Sequence, residues 1–198
     1  MSEPVADMPS ASGMHSLQQW LARLERLHPR PIDLGLERVQ AVRARLGLNL
    51  TMPLVMVGGT NGKGSVCGLL EAMLRAAGFR TGLYTSPHLV RYNERVRIDG
   101  SEAADEALVE AFERVERARG EVSLTYFEVG TLAAAVLFSE ARLDAAVLEV
   151  GLGGRLDAVN VFDADCAVLV SVDLDHMQYL GSSREAIGFE KAGIFRSG

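Results

Sequence analysis

Apolar residues recur along the chain with two different periods. Leu17, Trp20, Leu21, Leu24 and Leu27 follow Ser16 at helical spacing and stop before Pro29, which predicts a helix capped by Ser16. Val39, Val42 and Leu46 share one face of a second predicted helix over 36–46, with Gly47 as its stop. From residue 53 onward, strands and helices alternate. An apolar strand at 53–57 precedes a helix from about 64 to 77 that Gly78 ends, and a short strand follows at 81–85. Residues 94–99 alternate charged and apolar, which suits an exposed hairpin strand. Residues 105–119 form a charged amphipathic helix with a solvated face, and 131–142 an Ala-rich, mostly buried helix. The runs 145–150 and 167–172 have the continuous apolar character of buried parallel strands. Residues 187–195 read as a helix or as a loop entering a further strand. Strands spaced by helices in this way predict an α/β fold with a doubly wound, mostly parallel sheet. Residues 1–14 are polar and aperiodic and read as a mobile tail.

Composition narrows the function. The 198 residues are 48% hydrophobic and 23% charged, which is globular and excludes disordered and collagen-like classes. A formal net charge of −6 argues against a general nucleic-acid or anionic-membrane surface, while leaving room for a local phosphate pocket. The longest apolar run, 132–138, stops at Ser139, short of the roughly 18 residues a membrane span needs. The start of the chain has no basic segment followed by an apolar one, so it is not a signal peptide, and a cytoplasmic location is expected. Cys67 and Cys166 are too few for a disulfide framework and read as buried thiols in a reducing compartment.

The strongest local signal is the run from Val57 through Gly58, Gly59, Thr60, Asn61, Gly62, Lys63, Gly64 and Ser65. A strand turns through glycines into a helix start, where backbone N–H groups and the helix dipole favour an anion. The run does not match G-x-x-x-x-G-K-[ST], because Val57 stands five before Gly62 and Gly64 follows Lys63. Nucleotide phosphate binding is the reading its context supports. Glu149, at the end of 145–150, is either an ion-paired strand end or a carboxylate that holds Mg²⁺ beside the phosphate loop. His176, after Asp173-Leu174-Asp175, is either a hydrogen-bonded structural histidine or a member of the same crevice. Lys191 reads by composition as a solvated helix lysine, and Ser86 and His88 are open either way. His15 and His28 receive no role, and Trp20 is core.

Taken in order, GTNGKGS (59–65), TSPHLVRYNERVRI (85–98), LTYFE (124–128), LEVGLGGRLDA (148–158), LDH (174–176) and EKAGIFR (190–196) resemble the folylpolyglutamate synthase/dihydrofolate synthase family of Mur-ligase-type, ATP-dependent amide ligases. IDLGLERV at 32–39 matches that family's N-terminal region, and the bacterial bifunctional form is the nearest likeness.

The resemblance implies an ATP-binding domain spanning 15–198, cut before a C-terminal ligase domain. It implies that Gly59, Thr60, Asn61, Gly62, Lys63, Gly64 and Ser65 bind ATP, and that Ser86 and Glu149 ligate one Mg²⁺. His176 would ligate a second, with Lys191 carrying a CO₂-derived carbamate, which reverses the compositional reading of Lys191. Lys63, His176 and Lys191 are then the catalytic set. Ile32, Asp33, Leu34, Thr125, Tyr126, Phe127, Glu128, Leu156, Asp157 and Ala158 would contact the pterin. The implied reaction adds L-glutamate to dihydropteroate, or to the γ-carboxylate of folates, through an acyl phosphate formed from MgATP. The expected partners are these small molecules, with no nucleic acid or membrane and a monomeric full-length protein. Catalysis is expected of the full-length protein, the isolated 198 residues binding MgATP and pterin without it. Val159, Met177-Gln178 and Phe189 depart from the family's usual residues near the second metal and pterin sites. A P-loop kinase is the alternative enzyme class, but it leaves EKAGIF and TSPHL unexplained, and a Mur peptidoglycan ligase fits TSPHL and LTYFE poorly.

Overall fold

The computed structural model describes residues 16–196. The expected tail at 1–14, the reading of the chain's start as no signal peptide, and His15 lie outside the described residues.

Among the described residues a single six-stranded sheet is built from β1 (Leu54–Gly58), β2 (Thr81–Tyr84), β3 (Val96–Ile98), β4 (Ser101–Glu102), β5 (Ala145–Glu149) and β6 (Cys166–Leu169). Its order is β4-β3-β2-β5-β1-β6. β2, β5, β1 and β6 run parallel, while β3 and β4 add an antiparallel hairpin at one edge. Side chains alternate along β1, so the sheet has two apolar faces. Val57 joins Cys67, Leu83 and Val147 under α3 (Lys63–Ala76). Met56 joins Tyr84, Ala146 and Leu148 on the opposite face. There α5 (Tyr126–Glu140) packs on the sheet, backed by α1 (Leu17–Leu24), α2 (Glu37–Leu46) and α4 (Asp105–Arg119). Helices on both faces make the doubly wound architecture that strand–helix alternation predicts.

Local chemistry sets the helix ends. Ser16 accepts from Gln19 N, and the Gln19 side chain accepts from Ser16 N, closing a capping box on α1. Gly47 ends α2 in the left-handed region, where only glycine is unstrained. α5 starts five residues earlier than expected, because Thr125 and Glu128 form a second capping box. The segment expected to contact the pterin is therefore the N-cap and first turn of a helix buried nearly all round. Gly130 in α5 lets two phenols close in: a Cβ there would lie 2.7 Å from the Tyr92 hydroxyl and 2.9 Å from that of Tyr84.

Several other expectations need correction. α1 ends at Leu24 rather than near Pro29, although Leu27 still packs into the core. Residues 92–95 form a 3₁₀ turn, so only 96–98 of the expected hairpin strand is strand, and Val96 in it is buried. β6 is an edge strand with one side uncovered, so it is shorter than expected and half-exposed, and Cys166 at its start is exposed. Cys67 is buried as expected, with burial and the nearby Glu149 pushing its thiol up to about 12. The segment 187–195 is mostly helix, α7 (Arg184–Ala192), which follows the short α6 (Met177–Leu180).

Candidate active site

β1, β2, β5 and β6 run parallel, so their C-terminal ends open along one edge of the sheet, where α/β folds bind ligands. The loop after β1 is stitched to the segment after β6. Thr60 N donates to Ser171 O at 2.9 Å, Asn61 N to Ser171 Oγ at 3.0 Å, and Asp173 N to Thr60 Oγ1 at 3.0 Å. Thr60 and Asn61 thus shape the loop with their own polar groups. Gly62, at φ +83, caps α3 and turns its first N–H groups, which have no intrahelical carbonyl, toward the edge. The Lys63 amine folds back and donates to Gly59 O at 3.1 Å.

Lys191 donates to that same Gly59 carbonyl at 3.1 Å. The compositional reading of Lys191 as solvated fails, because α7 packs beneath the phosphate loop and buries it to 4% exposure. Burial first, then the Lys63 charge, pull its amine below the usual lysine range, while Asp175 and Asp157 act in the opposite direction. The packing is tight at this point: a Cβ on Gly154 would lie 2.6 Å from Lys191 O and 3.0 Å from its Cα.

Glu149 ends β5 buried, and its Oε2 accepts from Ser86 N at 3.0 Å. A Cβ on Gly64 would stand 3.7 Å from the same oxygen, so the carboxylate lies against the helix start. Burial raises its pKa, and the Ser86 N–H, Lys63 and Arg95 draw it back down. A buried carboxylate of this kind, beside a phosphate loop and a serine, suits a divalent cation. Among the described residues no three His, Cys, Asp or Glu side chains converge as a metal site. The expected ligand sets instead combine carboxylate or imidazole with a hydroxyl or a lysine.

A cavity of about 420 Å³ opens beside this edge. Its wall takes in every residue of the three segments 32–34, 125–128 and 156–158, together with Lys63, Ser86 and His176. A second cavity of about 590 Å³ lies along Gly62, Gly64 and Ser65 and shares Ser86 with the first. His176 sits at φ +46, a strained position for a non-glycine residue, with Asp175 Oδ2 at 3.6 Å from its Nε2. Asp157 is fully enclosed at the cavity wall and accepts from Leu152 N at 2.7 Å and Val159 N at 3.1 Å. Burial pushes its carboxyl up to about 7 against the pull of those N–H groups. Val159 makes this contact through its backbone, so the departure from the family's threonine leaves the clamp intact. Met177 and Phe189 are exposed.

Two arginines that lie within the family-like segments 32–39 and 85–98, without a role assigned to them, also shape this site. Arg38 bridges Asp33 Oδ2 at 2.7 Å and Glu128 Oε1 at 3.0 Å, fastening the 32–34 segment to the start of α5. Glu128 is consequently a clamp in the wall rather than a free carboxylate. Arg95 lines the cavity and donates through Nε to His88 Nδ1 at 2.8 Å, which settles His88 as a partner of Arg95. His28, given no role above, bonds Ser123 at 2.8 Å and Asp33 at 3.2 Å and steadies the 32–34 segment.

Comparison with known proteins places the fold and the family. The dihydrofolate synthase/folylpolyglutamate synthase of Escherichia coli (strain K12) is 59% identical over 182 residues, covering 91% of this chain and 43% of that protein. The chain thus spans less than half the length of this relative. The solved structure of E. coli FolC in complex with DHPP and ADP superposes with a TM-score of 0.92 at 56% identity, covering 96% of this chain and 46% of that one. The Yersinia pestis bifunctional folylpolyglutamate synthase/dihydrofolate synthase complexed with AMPPNP and Mn ion gives 0.89 at 53% identity, covering 97% and 47%. The Mur ligase middle domain matches residues 57–197, from the end of β1 through α7, and the chain belongs to that family.

Proposed function

We propose that this chain supplies the nucleotide- and pterin-binding part of an ATP-dependent amide ligase, which adds L-glutamate to dihydropteroate or to the γ-carboxylate of folates. The observation that carries this reading is one cavity running from Lys63 and Ser86 at the phosphate loop to an apolar wall holding the enclosed Asp157. The solved relatives in complex with DHPP and ADP, and with AMPPNP and Mn ion, support it.

The acceptor's carboxylate attacks the γ-phosphorus of ATP, ADP leaves, and the glutamate amine then displaces phosphate from the acyl phosphate to give an amide. The α3 N–H groups and Lys63 hold the phosphates in line and offset charge on the transferring group. Ser86 and Glu149 would hold one Mg²⁺ and His176 a second. Bound there, the metal withdraws charge from the phosphoryl oxygens. Lys191 fits a carbamate: its amine is buried and biased toward the neutral form, which adds CO₂ with loss of a proton. Phe127 and the 156–158 segment enclose the flat pterin, and Asp157 faces its polar edge.

The relatives are more than twice as long, and we place only binding of MgATP and pterin on these 198 residues alone. The test is titration of MgATP into the wild-type chain and Lys63→Ala, beside glutamate-dependent phosphate release with dihydropteroate. Binding lost in Lys63→Ala supports the assignment; equal binding by both refutes the phosphate loop. Phosphate release by the 198-residue chain itself would place catalysis here as well.

A further inference from the structure

Arg95 is the charged group of the cavity wall that the reaction above leaves unused. Its backbone is fixed. Glu94 accepts from the N–H groups of Leu89, Val90 and Arg91 at 2.7, 2.8 and 2.6 Å, and Thr85 N donates to Arg95 O at 2.9 Å. Its guanidinium carbon lies 5.4 Å from the ring centroids of both Tyr92 and Tyr126, and its Nε is taken by His88. Two carboxylates of this wall, Asp33 and Glu128, are already neutralised by Arg38, which does not itself line the cavity. Arg95 has no carboxylate within ion-pair distance among the described residues, so its two Nη groups have no anionic partner. It also borders a side pocket of about 400 Å³ that shares Pro31 and Tyr126 with the main cavity. A stacked, partly desolvated guanidinium with its planar fork unfilled is built for a carboxylate.

Which carboxylate follows from position. The Lys63 amine is turned toward the loop carbonyls of Gly59 and Thr60, at the end where the reacting carboxylate must meet ATP. Arg95 lines the same cavity as Lys63 and Ser86. A pteroate acceptor has one carboxylate, which the reaction consumes. A γ-glutamyl acceptor carries a second, the α-carboxylate, branching a few bonds before the reacting γ-carboxylate. We infer that Arg95 receives this α-carboxylate and is the specificity residue that favours glutamyl-bearing acceptors over bare pteroate. The assignment rests on the pterin reading of the cavity.

The test is titration calorimetry of the 198-residue chain with pteroylglutamate and with its α-carboxamide, which lacks only that charge. Wild type should bind the free α-carboxylate about tenfold or more tightly than the amide, the scale of a charge-assisted hydrogen bond. Arg95→Met should bring the two affinities to within about twofold of each other. Arg95→Lys should recover part of the preference, since it keeps the charge and loses the fork. A preference that survives in Arg95→Met overturns the inference, as does wild type that binds both ligands alike. Equal weakening of both ligands in Arg95→Met would make the guanidinium a packing element only. Wild type that binds neither compound would remove the pterin reading together with this one.

Discussion

Gly154→Ala isolates the contact that holds Lys191 under the phosphate loop. Gly154 has no positive φ, so alanine meets no backbone strain there and its effect is steric. The new methyl would lie 2.6 Å from Lys191 O, 2.8 Å from Glu190 O and 3.0 Å from Lys191 Cα, all backbone atoms of α7. Reaching ordinary contact at 3.4 Å from the nearest of them requires α7 to back away by about 0.8 Å. That movement stretches the Arg155 N–H to Glu190 O bond from 2.8 Å to beyond hydrogen-bond reach, and loosens the Lys191 amine from Gly59 O. Overpacking of this kind costs about 1–3 kcal/mol, and the lost hydrogen bond about 1 more. At roughly 2–4 °C per kcal/mol for a chain of this length, Tm should fall by about 4–16 °C. Gly47→Ala is the contrast: its Cβ would meet nothing within 4 Å, but φ is +64, so only the left-handed conformation costs, about 1 kcal/mol. Thermal and urea unfolding of the two variants test the reasoning. A Gly154→Ala midpoint no lower than that of Gly47→Ala would show that α7 yields freely and that this contact does not place Lys191.

Three further outcomes are expected. Asp157 holds its proton up to about pH 7 in the fold, against an ordinary value near 3.8, so the stability it lends is fully present below pH ~4 and lost as pH rises through ~7. Wild type should therefore have a lower urea midpoint at pH 8 than at pH 5, and Asp157→Asn should lose that slope; parallel slopes would contradict it. Arg38→Ala leaves the buried Glu128 carboxylate without its cation and Asp33 held only by His28 and Arg30, costing about 1–3 kcal/mol once the quarter exposure of Arg38 is discounted, with pterin binding weakened in the same titration. Intact mass spectrometry in bicarbonate and Mg²⁺ should show a CO₂ increment that Lys191→Arg abolishes; its absence at high bicarbonate would remove the carbamate.

What the sequence disclosed divides along the range of the interactions involved. Strand–helix alternation, Ser16 as a cap and Gly47 as a stop are local and were all legible. The Ala-rich run from 131 carries the apolar signal of α5, whereas its actual start at Tyr126 comes from the reciprocal cap of Thr125 and Glu128, with Arg38 behind it. β6 looked buried because its residues are apolar, yet burial of a strand depends on what packs on it, which is not in its own sequence. Lys191 is the sharpest case. Nothing near it in sequence distinguishes it from a solvated lysine; its burial comes from Gly154 and Gly59, which are distant in the chain. The family resemblance singled out Lys191 where residue-by-residue reading did not, and its segments contain Arg38 and Arg95 without giving either a role, since what each does depends on the groups around it.

The same topology accounts for the phosphate loop's departure from the G-x-x-x-x-G-K-[ST] pattern. That pattern places a hydroxyl directly after the lysine, where this chain has Gly64. The sheet order β2-β5-β1 sets the ends of three strands side by side, so the loop after β2 brings Ser86 to the carboxylate that ends β5, against the helix that follows β1. Ser86 N already donates to Glu149 Oε2, and a Cβ at position 64 would lie 3.7 Å from that oxygen. On the proposed assignment the hydroxyl comes from the loop after β2 rather than from the phosphate loop, which carries glycine on both sides of Lys63. This makes the site depend on the β2–β5 register as well as on the loop: Tyr84 pairs with Leu148, and it is this pairing that carries Ser86 to Glu149.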